Sequence, residues 1–186
     1  MRVLAACEFS GIVRDAFRAR GDDAWSCDLL PCESPLKLSG RSPHHQCDVR
    51  ELFPGGRLYT TMALENQAPT WDMLIAFPPC THLAVSGARW FKDKQREQHE
   101  SIRFVEWIWA ADIPRIAIEN PVGILSTRSN LGKPSQIIQP WQFGHGEIKA
   151  TCLWLKNLPP LRPTRIVEGR HPRVHHEPPS PDRWKN

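Results

Sequence analysis

Apolar and polar positions alternate in blocks along this chain, and the blocks show two periods. Arg2 to Cys7 is apolar almost throughout, which predicts a strand buried on both faces. Ser10 and Gly11 break it. From Ile12 to Arg20 the apolar residues Ile12, Val13, Ala16 and Phe17 form a helical stripe, and Gly21 closes that helix. Ala24 to Cys27 predicts a short strand closing on Asp28. Leu30 to Arg57 reads as irregular, with a short strand near Cys47. Met73 to Phe77 is an unbroken apolar run and predicts a core strand. Pro78 and Pro79 cannot extend it, so it stops there and presents Cys80 at its C-terminal edge. Gln95 to Ala111 predicts an amphipathic helix with Ile102, Val105, Ile108 and Trp109 on one side. Arg115 to Ile118 predicts a further strand, ending in Glu119-Asn120-Pro121. Gln136 to Gln139 and Thr151 to Leu155 are late strands. Strands alternating with helices predict an α/β fold with a doubly wound, mostly parallel sheet. Residues 1–160 read as one domain and 161–186 as a basic, Pro-rich tail.

Composition narrows the class. At 186 residues, with 24% charged and 40% hydrophobic residues, the chain is ordinary globular material with no run long enough to span a membrane. Its first residues turn acidic at Glu8, too soon for a signal peptide. A cytoplasmic location is therefore expected, with Cys7, Cys27, Cys32, Cys47, Cys80 and Cys152 as reduced thiols. The formal charge is only +4, but it is uneven. From Arg162 onward come Arg165, Arg170, Arg173, Arg183 and Lys185, separated by prolines and histidines. A nucleic-acid backbone would suit such a segment; so would bulk solvent.

Candidate chemistry gathers at the predicted strand ends, where open α/β sheets bind ligands. Glu8-Phe9-Ser10-Gly11 forms a strand-to-helix turn in which a glycine lets a ligand approach the backbone. Asp28 ends the second strand, in position to accept from a ribose diol, and Asp48 follows the third, in reach of an adenine amino group. There is no Gly-x-Gly-x-x-Gly, so a dinucleotide is disfavoured. A right-handed crossover makes the strands ending at Cys80 and Glu119 neighbours or near-neighbours, which brings a nucleophile and a proton donor to one crevice. Thr81 to Phe91, with a glycine and two aromatics, suits a loop closing over a planar substrate. Cys27, Cys32, His44, His45 and Cys47 have zinc-like content, but the spacing is loose and no second pair completes it; no metal is expected.

In order, Phe9-Ser10-Gly11, Asp28, Asp48, Pro78-Pro79-Cys80, Ser86-Gly87 and Glu119-Asn120-Pro121 resemble the signature motifs of DNA cytosine-C5 methyltransferases, most closely small phage-type proteins of that kind. The resemblance covers about residues 3 to 125. It implies a Rossmann-like S-adenosylmethionine-dependent methyltransferase fold, S-adenosylmethionine as cofactor and DNA, or a cytosine nucleotide, as substrate. Phe9, Ser10, Gly11, Asp28, Asp48 and Pro78 would bind the cofactor. Cys80 would attack C6 of cytosine, Glu119 would hold N3, and Asn120 would brace the Cys80 loop. Pro79, Ser86, Gly87, Arg89 and Lys149 would meet the substrate. Three departures stand beside this. The family's Gln-x-Arg-x-Arg motif is absent near Lys149, where only Lys149 could replace an arginine. There is no room for a target-recognition domain, and the chain stops without the family's last helix. Either the chain is truncated or a partner chain, or a second copy, completes it. The alternative expectation is a catalytically incomplete DNA-binding or decoy module. An amino-methyltransferase, which also uses paired prolines, is disfavoured by Phe77 and Cys80.

Overall fold

A computed structural model describes residues 1–34, 42–65, 70–85 and 92–173. The chain forms β1 (Arg2–Ala6), α1 (Ile12–Arg18), β2 (Asp23–Asp28), β3 (His44–Gln46), α2 (Arg57–Leu64), β4 (Met73–Ala76), α3 (Gln95–Trp109), β5 (Arg115–Pro121), α4 (Leu125–Arg128), β6 (Gln136–Ile138) and β7 (Thr151–Lys156). They build one seven-stranded sheet in the order β3-β2-β1-β4-β5-β7-β6. β1 to β5 run parallel, and β7 lies antiparallel between β5 and β6. This is the doubly wound, Rossmann-like α/β sheet that the sequence predicts. Strand order reverses between β1 and β4, so the crevice for a ligand lies beyond their C-terminal ends.

Both faces of the sheet are covered, which is why its central strands read as continuous apolar runs. Leu4, Ala6, Leu74, Ala76, Ile116 and Ile118 pack with Ile102, Val105 and Ile108 of α3. Val3, Ala24 and Met73 face the other way, against Phe17 of α1. No helix of the described residues is long and apolar enough to cross a membrane.

Three readings need correction. The stripe on α1 is out of phase: Ile12 is 73% exposed, while Arg14 is fully buried. Leu30 to Arg57 is not wholly irregular, since Val49–Leu52 forms a 3-10 helix capped by the Asp48 carboxylate. β5 does not stop at Ile118. It runs through Glu119 and Asn120 to Pro121, because these pair with Leu153, Cys152 and Thr151 of β7. Pro121 is tolerated at the last position, where a missing N–H costs least.

Candidate active site

The turn after β1 is built around buried polar groups. Cys7 adopts a left-handed backbone, φ 56°, and burial pushes its thiol up to about 12. Glu8 is buried; one carboxylate oxygen accepts from the Ser10 hydroxyl and the other has no partner. Gly11 has φ 77°, and a Cβ there would lie 2.5 Å from the Arg14 guanidinium and 2.6 Å from Ser34 Cβ. The space opened by this glycine is thus filled by side chains of the protein, not left for a ligand. Arg14 donates to Asp15 (2.7 Å), Ser26 (3.0 Å) and Cys32 (3.2 Å). The Glu33 amide donates to the Phe9 carbonyl at 2.9 Å. Together these bonds fix the Phe9–Gly11 turn against the segment that follows β2.

Beside that turn, at the ends of β1, β2 and β3, lies a cavity of about 220 Å³ lined by Asp28, Leu29, Asp48, Val49, Pro79 and Phe104 and by the Cys7, Cys27 and Cys47 thiols. Asp28 uses one oxygen to accept from the Leu30 amide, at 2.9 Å. Asp48 is less free. It accepts from the Arg50 amide and Nε, each at 2.9 Å, and pairs with Arg50 Nη2. That hydrogen bond holds its carboxyl below the usual range. Arg50 also lies 5.7 Å over the Phe104 ring. A second, wider depression of about 600 Å³ shares Arg50, Pro79 and Phe104 with the first and continues to His82 and Trp107. Pro79 therefore stands at the junction of the two. Cys27 and Cys47 sulfurs are 3.8 Å apart, but among the described residues no group of three or more His, Cys, Asp or Glu is arranged to hold a metal ion.

β4 and β5 are adjacent and parallel, in register from Met73 opposite Arg115 to Ala76 opposite Ile118. Their ends bring Cys80 and Glu119 together. Cys80 is exposed as a residue, and its thiol is pushed up by desolvation and then by the Glu119 charge, with Lys149 opposing both. Burial raises Glu119 as well, again opposed by Lys149. A carboxyl in this setting keeps its proton longer than usual. Asn120 is buried and its Nδ2 donates to the Pro78 carbonyl at 2.9 Å, while its Oδ1 has no partner. Pro78 is itself buried, and Pro79 and Cys80 are exposed.

Several residues here carried no signal in the sequence. Gly123 bridges Ala84 and ties the turn after Cys80 to the end of β5. Gln98 of α3 donates to the His82 carbonyl at 3.2 Å and accepts from Arg128. Gln139 orients the segment before β7 by accepting from the Lys149 amide at 2.9 Å. Of the expected substrate residues, Pro79 and Lys149 are at this edge; Ser86, Gly87 and Arg89 lie outside the described residues.

No family model matches the chain, and no curated protein does. Among solved structures it is similar to a crystal structure described as a "putative DNA modification methyltransferase encoded within prophage" (E. coli), at 16% identity and a TM-score of 0.49. The alignment covers 83% of this chain and 46% of that one, so the chain spans about half the length of that protein.

Proposed function

We propose that this chain is an S-adenosylmethionine-dependent methyltransferase acting at C5 of cytosine in DNA. The observation that carries the reading is the meeting of Cys80 and Glu119 at adjacent strand ends, each raised by burial and both opposed by Lys149. Attack on cytosine needs a thiolate at C6 and a proton held at N3. Cys80 supplies the first once its thiol has given its proton to solvent, a loss that burial opposes and the Lys149 charge assists, and a neutral Glu119 supplies the second. The Cys80 sulfur bonds to C6 as Glu119 stabilises the charge at N3, leaving electron density at C5. C5 then takes the methyl group as the donor's S–CH3 bond breaks and a neutral thioether leaves; solvent water takes the C5 proton, the C5–C6 double bond re-forms, and the sulfur leaves C6 as a thiolate. S-adenosylmethionine, when bound, supplies the methyl group as a sulfonium electrophile. The cavity wall suits an adenosine: Asp28 has an oxygen that takes no hydrogen bond among the described residues, and Val49, Pro79 and Phe104 offer apolar surface. The unpartnered Glu8 oxygen lies on the turn whose Phe9, Ser10 and Gly11 are expected to bind the cofactor. A base within duplex DNA must be flipped out to reach the thiol.

The test is methyl transfer from labelled S-adenosylmethionine to DNA, with a Cys80→Ser control, and trapping of a covalent adduct on DNA carrying 5-fluorocytosine. No transfer and no adduct would sink the reading. A DNA-binding module without turnover is the second reading, favoured by the Asp48–Arg50 pair, which occupies the carboxylate expected to meet adenine. Such a module binds DNA and takes up no S-adenosylmethionine in a titration.

A further inference from the structure

After β7 the chain turns back along the segment that leads into the candidate active site. Thr164 and Arg165 amides donate to the Gln142 carbonyl (3.1 and 3.2 Å), Val167 to Trp141 (3.0 Å) and His171 to Gly146 (2.9 Å), and the Ile148 amide donates to the His171 carbonyl (3.2 Å). Parallel bridges join Phe143 to Arg165 and Glu147 to His171. The next residue after Ile148 is Lys149, whose charge reaches both Cys80 and Glu119.

Backbone hydrogen bonds hold this strap, and its side chains are not spent on the core. Leu161 is 47% and Ile166 56% exposed. Arg162, Arg165, Arg170 and Arg173 are all exposed, and Glu168 is the acid among them. Arg170 stacks 3.8 Å over the Trp141 ring and donates to the Val167 carbonyl. Arg173 pairs with Glu147 at 3.5 Å. Arg162 and Arg165 make no ion pair within 4.0 Å among the described residues. A run of exposed cations pinned by backbone, with few acids to answer them, sets up a positive field that draws in an anionic polymer.

We infer that the strap from Arg162 to Arg173 is a DNA-backbone binding track that delivers a strand to the Lys149, Cys80 and Glu119 edge, the arginines contacting successive phosphates. It rests on the proposed action on DNA and adds the surface that would hold the polymer. Phosphate contacts position DNA without reading sequence, so the track predicts binding that is strong at low salt and weakly sequence-dependent.

The experiment is fluorescence anisotropy of a duplex oligonucleotide with the full chain at 50 to 200 mM salt, comparing the wild type with a variant carrying Arg162→Gln, Arg165→Gln, Arg170→Gln and Arg173→Gln. If each arginine neutralises one phosphate, the slope of log affinity against log salt weakens by about 3.6. Over that fourfold range the wild type then loses about 150-fold more affinity than the variant. The corresponding Arg→Lys set keeps the charge and is expected to keep the slope, which separates phosphate binding from a structural role. Should the glutamine set not fold by circular dichroism, the Arg162→Gln/Arg165→Gln pair, which makes no ion pair among the described residues, is expected to weaken the slope by about 1.8. An unchanged slope in a folded glutamine variant overturns the inference. So does wild-type binding to phosphatidylserine vesicles with none to DNA. Adduct formation between Cys80 and free 5-fluorodeoxycytidine monophosphate, and S-adenosylmethionine titration, report on the proposed chemistry separately, so either idea can fail alone.

Discussion

Gly123 offers the sharpest test of how the reaction edge is built. A methyl group at this position would overlap the Leu83 carbonyl oxygen, lie 2.9 Å from its carbon and 3.1 Å from Ala84 Cα. Carbon atoms rest at about 3.5 to 4.0 Å, so Gly123→Ala must push backbone by roughly 0.6 Å at the carbon and further at the oxygen. That carbonyl accepts from the Ile124 amide at 3.0 Å, and Val85 donates to Val122 at 3.2 Å beside it. Overpacking costs about 1–3 kcal/mol and two weakened hydrogen bonds about 0.5–1.5 kcal/mol each. A loss of about 2–6 kcal/mol is expected in urea unfolding. Leu83 sits in the turn whose amides cap the Cys80 carbonyl at 2.9 and 3.0 Å, so the thiol moves with it. An ångström of misplacement is worth roughly 100-fold in rate, and methyl transfer by the folded fraction is expected to fall by that order. Gly169→Ala, with nothing within 4 Å of the added Cβ, serves as control for the unfolding measurement and should change stability little. If Gly123→Ala unfolds within about 0.5 kcal/mol of the wild type and keeps its turnover, the coupling of the two strand ends through Gly123 is wrong.

Three further outcomes follow from the same edge. Burial raises Glu119 above the ordinary 4.5, so the stability this group contributes is complete below 4.5 and is lost as pH rises through its folded value. Glu119→Gln, always neutral, should therefore gain stability on the wild type as pH rises, while methyl transfer is lost; a stability difference independent of pH refutes this. Lys149→Met removes the charge that lowers both Cys80 and Glu119, so the pH profile of Cys80 alkylation by iodoacetamide should move upward. An unmoved profile would show that Lys149 does not act on the thiol. Asn120→Ala strands the Pro78 carbonyl, a cost of about 1–3 kcal/mol, and a melting temperature equal to wild type would remove Asn120 from its bracing role.

The parallel core was legible because its strands are covered on both sides. Val3 to Ala6 and Met73 to Ala76 are buried or nearly so on both faces, and a continuous apolar run records that directly. What escaped was whatever depends on a distant partner. The extension of β5 through Pro121 needs β7, some thirty residues on, as its antiparallel neighbour. α2 buries none of its residues, so it leaves no stripe to find. On α1 the phase failed because Gly11 makes room for a guanidinium: Arg14 enters and satisfies Asp15 and Ser26, and Ile12 turns outward. Lys149 was visible only as a lone cation; the Gln139 contact that fixes its backbone joins residues ten positions apart across an irregular segment.

The two acids at the cavity differ in what they can still do, and under the proposed function this would divide the work of holding an adenosine. Asp48 is committed three times over to Arg50, through its amide, Nε and Nη2. Arg50 is 62% exposed, so the pair is screened by solvent and holds less firmly than a buried one, but its three contacts take up most of the carboxylate's acceptor sites and leave an amino group little room there. Asp28 gives one oxygen to the Leu30 amide and makes no ion pair among the described residues, so its second oxygen can accept from a ribose hydroxyl without breaking anything. Arg50 in turn is held over Phe104, at the junction of both depressions with Pro79. On the proposed function, anchoring of a nucleoside in this cavity would fall to Asp28. The Asp48–Arg50 pair is better suited to shape the wall between that cavity and the edge where Cys80 stands.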